Sequence, residues 1–423
     1  MTSSQPTSAI SPRVGLIIIA GCMIALISMG VRSTFGLFVA GAPEAIGVSA
    51  ADFGLALGWQ NLLWGLMGAY AASLVDRFGP LWVLIAGSLL YGLGIIGMLI
   101  LPGTLMTYIF LGGLTGSGIA ATSFTIVAMS FSKLVSPEQR SWALGIGTAA
   151  ASFGQFAVGL PAGMMLQQLG WDNALYVLAG LTFLIIPLSF LFAGIKGTAA
   201  EKGASDKSGS FAEVLEEVRF AFRQRGYVLL FFGFFVCGFH IALITIYLPK
   251  FLIDEGVQPQ WLNGLGGIGA VSLALIGVFN IIGAYAAGVF GRNRSKKYAL
   301  VFIYAGRSLV MTCFIVFPIT PISALIFASC MGLLWLATVP LTQGIVAQVF
   351  GVRYMTTLYA IVFVSHQIGS FSATFLARWI QNVTGELTWM WIAAIMMGVF
   401  ATVIHWPIDE KPIDRAAPQP VAA

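Results

Sequence analysis

An arginine interrupts the first long apolar run of the chain, in the stretch SMGVRSTFGLF (28–38). The run is long enough to cross a bilayer, and a guanidinium keeps its charge at physiological pH. Placing that charge in hydrocarbon is costly unless another group compensates it. Arg32 therefore predicts a partner. A second arginine, Arg307, lies in the middle of another apolar run, YALVFIYAGRSLVM (298–311).

No acidic residue is placed to pair with these arginines. The 16 Asp and Glu residues lie in polar loops, in the tails or at the ends of apolar runs. A small organic anion, the substrate, is therefore the partner that we predict for Arg32. Alternatively, Arg32 reaches the membrane interface or bonds to backbone carbonyls, and Arg307 either contacts the ligand or serves packing or gating. The lack of a mid-membrane carboxylate argues against organic cations as substrates.

Two histidines also lie in the middle of apolar runs. Histidine is the side chain that titrates near neutral pH, so His240 and, second, His366 are the candidates for proton coupling. We expect His240 and Tyr247 to line the site from the second half of the chain. The alternatives are a neutral imidazole that bonds to a neighbouring helix, or a weakly acidic substrate that carries the proton itself.

Other polar side chains are scattered singly through the apolar runs. Those expected to line the cavity include Thr122, Gln155, Trp335, Gln60, Asn61 and Trp64. A mostly apolar cavity with few polar points suits a small amphipathic anion better than a sugar. The four cysteines have no paired or metal-like spacing, so we predict no metal and no cofactor.

The composition explains where these residues must lie. The chain is 58% hydrophobic and 9% charged, whereas a soluble domain is about 25% charged. This predicts an all-α membrane protein, for which the net charge of +5 concerns topology and not nucleic acid. We expect membrane lipid around it, and a monomer. Twelve spans are predicted, near 14–40, 52–75, 80–101, 104–132, 141–166, 173–194, 227–252, 262–290, 298–317, 321–350, 355–380 and 388–406.

The spans divide into two halves of six. Residues 1–195 form the first half, and residues 227–423 form the second half with a short tail. Residues 196–226 form a polar loop whose second part, from Phe211 to Arg225, has the spacing of an amphipathic helix on the membrane surface. Most Lys and Arg residues fall on one side, which predicts cytoplasmic N- and C-termini. We expect the inner membrane of a bacterium.

The loop after the second span carries a motif, GAYAASLVDRFGP (68–80). It resembles the signature of the major facilitator superfamily, in which Asp76, Arg77 and Gly79 would form a tight cytoplasmic turn. The resemblance implies two pseudo-symmetric six-helix bundles that transport by alternating access, with Asp76 and Arg77 as a latch between them. A solvated turn is the alternative for this pair. No nucleophile or cofactor loop indicates an enzyme.

Three further segments carry a finer resemblance. GFHIALITIYLPKFL, RSWALGIGTAAASFGQ and LWLATVPLTQGIVAQVFGVRYMTTLYAIVFVSHQIGSF are similar to the bacterial monocarboxylate and oxalate/formate porters. The resemblance implies transport of small carboxylates such as lactate or pyruvate, by proton symport or by anion exchange. The monocarboxylate family carries an Asp and an Arg in the eighth helix, where this chain has Asn280 and Ala284. The alternative function is export of amphipathic compounds, including drugs.

Overall fold

The computed structural model describes residues 11–132, 134–135, 139–195, 211–351 and 355–413, and this part of the chain contains no strand. Twelve long helices, some in consecutive segments, are labelled α1 to α12. They are α1 Pro12–Thr34; α2 Ala50–Phe78; α3 Pro80–Ile100; α4 Thr104–Thr107, Tyr108–Leu114, Thr115–Thr122 and Phe124–Ser132; α5 Arg140–Leu169; α6 Trp171–Phe183 and Ile185–Ser189; α7 Arg225–Ala242, Leu243–Tyr247 and Leu248–Asp254; α8 Gly267–Asn293; α9 Lys296–Val316; α10 Pro321–Leu334 and Thr338–Phe350; α11 Met355–Thr384; and α12 Thr388–His405.

Length and apolar composition make these helices membrane spans. In the described part of the chain, eleven helical stretches are long and apolar enough to cross a bilayer. The helix outside this group is α2, which has the length but carries Gln60 and Asn61 midway and charged residues at both ends. Both amides are buried among neighbouring helices, so α2 needs less apolar surface than a lipid-facing span.

The helices form two bundles of six with the same internal packing. In the first bundle α1 packs on α5, α2 on α4, and α3 on α6; in the second, α7 packs on α11, α8 on α10, and α9 on α12. Two close glycine crossings repeat as well. Gly154 of α5 lies against the Leu26 carbonyl of α1, and Gly369 of α11 lies against the Phe235 carbonyl of α7. The predicted fold of two pseudo-symmetric six-helix bundles is confirmed.

The two bundles meet along α2 with α11 and along α5 with α8. We call the end where α1 begins and α12 finishes the near end, and the opposite end the far end. At the far end Arg378 of α11 donates its Nε–H to Asp52 Oδ1 of α2 at 2.7 Å, and Tyr108 donates to the same oxygen at 3.1 Å. Nearer the other end, a Cβ added at Gly68 of α2 or Gly145 of α5 would meet no atom within 4 Å.

The tenth span is broken, although the sequence suggested one continuous helix over 321–350. The break covers Trp335 to Ala337, and Trp335 has a ψ angle of −85°. Proline 340 lacks the N–H that would bond to the Leu336 carbonyl, so the regular ladder cannot continue through this point. The fourth span is also broken, at Ser123, whose backbone is extended.

Two predicted elements outside the spans are present in the described chain. A helix spans Phe211–Arg223, close to the predicted amphipathic segment from Phe211 to Arg225. The turn between α2 and α3 consists of Gly79, whose φ of 81° is in the left-handed region that glycine adopts without strain. Arg77 places its guanidinium 5.1 Å from the Phe78 ring centroid at this near-end turn. The Asp76–Arg77 latch is therefore still a prediction.

Candidate functional site

Arg32 extends from α1 toward α2 and is half-buried. Its Nη2 donates a hydrogen bond to Asn61 Oδ1 at 2.5 Å, and its guanidinium lies 4.7 Å from the Trp64 ring centroid. Asn61 is itself fixed, because its Nδ2 donates to the Leu57 carbonyl at 2.8 Å and so turns its oxygen toward the arginine. The guanidinium is held by a neutral acceptor and an aromatic face, and both leave its charge uncompensated.

No carboxylate of the described residues lies within ion-pair distance of Arg32. Its Nε–H is buried and has no hydrogen-bond partner. An arginine with a free donor, an oriented plane and an unpaired charge can receive a carboxylate. Asn61 and Trp64, which the sequence suggested only weakly as cavity residues, are thus the two side chains that orient it. Their spacing of three positions on one helix was the available signal.

Helix α11 of the second bundle packs against the same part of α2, at the junction between the two bundles. The Trp64 ring makes an edge contact with Phe363 at 5.4 Å between centroids, and Phe363 stacks on His366 at 5.5 Å. His366 also interacts with the thiol of Cys237 on α7, and its Nδ1 is buried without a hydrogen-bond partner. Two aromatic rings therefore connect the predicted anion-binding residue to one of the two predicted proton-coupling residues.

Thr122 lies in the interior of the first bundle. Its hydroxyl forms a 2.8 Å hydrogen bond with Ser28 Oγ of α1, and it donates to the Gly118 carbonyl at 2.9 Å. Tyr91 of α3 donates its hydroxyl to the Ser28 carbonyl at 3.0 Å. Thr122 is fully buried, and its contacts join α4 to α1 immediately before the α4 break. These contacts indicate helix packing.

Arg307 is fully buried in α9 and faces the α10 break. It donates from Nε and Nη2 to the Leu334 carbonyl, at 3.1 and 2.7 Å, and from Nη2 to the Trp335 carbonyl. Its Nη2 also lies 3.7 Å from Cys237 Sγ. The break leaves these carbonyls without helical partners, and the guanidinium compensates them. The structure thus brings the predicted residues Arg307 and Trp335 together in an arrangement that favours the packing alternative for Arg307.

The contacts of Arg307 repeat those of Tyr91 in the other bundle. Cys237 of α7 pairs with Thr338 of α10 at 3.3 Å, as Ser28 of α1 pairs with Thr122 of α4. Arg307 reaches this pair from α9, as Tyr91 reaches its own pair from α3. Each side chain is the twelfth residue of its helix. The repeat places a neutral phenol in one bundle where the other has a guanidinium.

His240 and Tyr247 point to different neighbours. The His240 ring is buried, and its Nε2 forms a 2.8 Å hydrogen bond with the Ala394 carbonyl of α12, inside the second bundle. The Tyr247 hydroxyl is buried against Gly54 of α2 toward the far end and has no hydrogen-bond partner. Of the two, Tyr247 contacts the first bundle. The joint lining of the site by both side chains is still a prediction.

Gln155 lies at the other junction, where its Cβ packs against Gly277 of α8. One turn away, Asn280 donates to Ser152 Oγ at 3.0 Å and accepts from the backbone N–H of Leu336 at 2.9 Å. Asn280 therefore connects α5 of the first bundle to the broken α10 of the second. The sequence marked this position only as a departure from a family pattern.

Comparison with known proteins places this geometry in a family. A model of the Major Facilitator Superfamily matches residues 21–374. The uncharacterized MFS-type transporter YcxA of Bacillus subtilis (strain 168) is 22% identical over 416 residues, which cover 95% of this chain and 97% of that protein. Monocarboxylate transporter 12 of Rattus norvegicus is 22% identical over 327 residues, which cover 70% of this chain and 65% of that protein.

Two solved structures share the fold. A peptide transporter POT crystallised with sulfate has a TM-score of 0.71 at 15% identity, over 93% of this chain and 94% of that one. A D-xylose-proton symporter also has a TM-score of 0.71 at 15% identity, over 95% of this chain and 99% of that one. Since the family model covers most of the sequence, this multi-pass membrane protein belongs to the Major Facilitator Superfamily.

Proposed function

We propose that this protein is a secondary active transporter of a small organic anion of the monocarboxylate type, with Arg32 as the residue that pairs with the carboxylate. The observation that carries the proposal is the unpaired, oriented guanidinium at the junction of the two bundles. An uncompensated charge in a low-dielectric site is costly, and an arriving carboxylate removes that cost with bidentate hydrogen bonds. The similarity to monocarboxylate transporter 12 supports the substrate class.

Alternating access is the transport mechanism that we propose. The ion pair at the far end supports a state that is closed there and opens toward the near end. With both termini in the cytoplasm of a bacterium, this is an inward-facing state in the inner membrane. Proton symport through His366 and anion exchange are the two coupling modes consistent with the proposal.

The test is uptake of labelled lactate and pyruvate into proteoliposomes that contain the purified protein. Arg32→Gln should abolish uptake, and Arg32→Lys should retain only part of it, because an ammonium cannot form the paired bonds of a guanidinium. Arg294→Gln is the matched control, since it removes the same charge from an exposed residue beside Phe290.

Uptake by Arg32→Gln at the rate of the native protein would refute the anion pair. A native protein that takes up none of these acids, but confers resistance to unrelated drugs, would instead support the exporter alternative.

A further inference from the structure

Gln367 on α11 is a buried side chain whose hydrogen-bonding groups are unused. The residue has no exposed surface, and neither its Nε2 nor its Oε1 has a hydrogen-bond partner. A primary amide can form several hydrogen bonds, and leaving all of them unmade in a buried position costs free energy. Its chain neighbour His366 is already engaged by Phe363 and Cys237. Packing alone therefore does not explain why an amide without hydrogen-bond partners is buried at this position.

The position of Gln367 suggests that reason. Its side chain crosses the bundle junction and lies against Gly65 of α2, where an added Cβ would be 2.6 Å from Gln367 Cγ. Gly65 directly follows Trp64, the ring under the Arg32 guanidinium, and is one turn from Asn61, which accepts from that guanidinium. Gln367 thus faces, from the second bundle, the part of α2 that orients Arg32 from the first.

We propose that Gln367 determines substrate specificity by hydrogen-bonding a hydroxyl or oxo group next to the carboxylate that Arg32 holds. This inference rests on the proposed function of Arg32. An amide supplies both a donor and an acceptor, so it can accept from a 2-hydroxy acid and donate to a 2-oxo acid. An acid that lacks the second group leaves the amide unpaired and is bound less well.

The chemistry of the junction separates Gln367 from other unpaired groups. The Tyr247 hydroxyl is also buried without a partner, but it packs on Gly54 toward the far end and away from Arg32. His240 is bonded to α12 inside its own bundle. Among the residues that the structure describes, Gln367 combines an amide without hydrogen-bond partners with a place beside the Arg32, Asn61 and Trp64 cluster.

The experiment compares three acids of equal chain length, labelled lactate, pyruvate and propionate, in proteoliposomes with the full-length protein. The native protein should prefer lactate and pyruvate to propionate. Gln367→Met keeps the side-chain volume but removes the amide, so it should reduce that preference by about three- to tenfold while propionate uptake stays unchanged. Gln381→Met is the matched control, because it makes the same change on the same helix away from the Arg32 cluster.

The outcomes separate this inference from the function on which it rests. An unchanged preference in Gln367→Met, or an equal loss for all three acids, would show that the side chain only packs, and would overturn the inference while the role of Arg32 stands. If the native protein takes up none of the acids, both fail. If Gln367→Met does not fold, Gln367→Asn retains the amide but shortens its reach. A reduced preference in that variant supports the inference, and an unchanged preference overturns it.

Discussion

Two arginines in similar apolar surroundings have different partners in this molecule. Arg32 is half-buried and bonds to one side-chain amide, whereas Arg307 is fully buried and donates to two backbone carbonyls of a broken helix. Both sets of hydrogen bonds meet the same requirement, which is that a charge within the membrane needs polar partners. Arg307 directs Nε and Nη2 to the carbonyls at the α10 break, and its Nη1 is buried without a partner, whereas Arg32 keeps part of its surface exposed. We therefore propose Arg32, rather than Arg307, as the arginine that pairs with a substrate.

This difference predicts different effects of removing each charge. Arg307→Met should lower the free energy of unfolding by about 3 kcal/mol, because it leaves the carbonyls of Leu334 and Trp335 without partners. Tyr91→Phe, at the repeated position in the first bundle, loses one hydroxyl bond and should cost about 1 kcal/mol. Thermal unfolding of both variants in detergent shows whether Arg307→Met loses more stability than Tyr91→Phe.

The contrary result for Arg307 is equally specific. If Arg307→Met unfolds at the same temperature as the native protein but shows a raised KM for lactate, then Arg307 contacts the substrate and its carbonyl bonds are dispensable.

At the scale of helices, α2 and α11 are joined across the bundles by the Asp52–Arg378 pair. This pair is partly exposed, so it stabilises the state with a closed far end by at most about 1 kcal/mol. That energy corresponds to roughly a fivefold change in the ratio of molecules closed and open at the far end. Asp52→Asn should therefore increase the fraction of molecules open at the far end by up to that factor. Distances between spin labels at the far ends of α2 and α11 measure this fraction.

A charge exchange provides the control for this pair. The double variant Asp52→Arg with Arg378→Asp should restore the native distance distribution, whereas Lys250→Gln, which breaks a pair within α7, should not change it. A distribution unaffected by Asp52→Asn would mean that helix packing alone holds the far end closed.

The sequence predicted these helices well and their interruptions poorly. Apolar length identified the spans, because the bilayer thickness sets that length, and the long polar loop between the sixth and seventh spans indicated two halves. Apolar length did not identify the α10 break, although Pro340 was a visible signal. The break needs hydrogen bonds from Arg307 of another helix to the freed carbonyls, and the sequence does not show that contact. For the same reason Arg32 was found from its charge alone, while Asn61 gained significance only when α1 and α2 were placed together, and Gln367 only when α2 and α11 were.

For the whole molecule, an unpaired charge at the junction affects the empty protein more than the loaded one. In the proposed mechanism, closing the two bundles around Arg32 without an anion would bury an uncompensated cation, whereas closing them around a bound carboxylate would bury a neutral pair. The loaded protein should therefore change state faster. We expect unlabelled lactate inside the vesicles to accelerate uptake of labelled lactate severalfold. Equal rates with and without internal lactate would show that the charge does not limit return of the empty protein.

The glycine crossings within the bundles have a mechanical consequence. Because Gly154 and Gly369 bring α5 and α11 directly against the carbonyls of α1 and α7, neither crossing leaves room for one helix to slide past the other. We therefore expect each bundle to move as a rigid body, and the contacts between the two bundles to be those that change. Under the alternating access proposed above, a small rotation that separates Asp52 from Arg378 at the far end should bring the bundles together at the near end. The same motion would then admit water on one side of the membrane and exclude it on the opposite side.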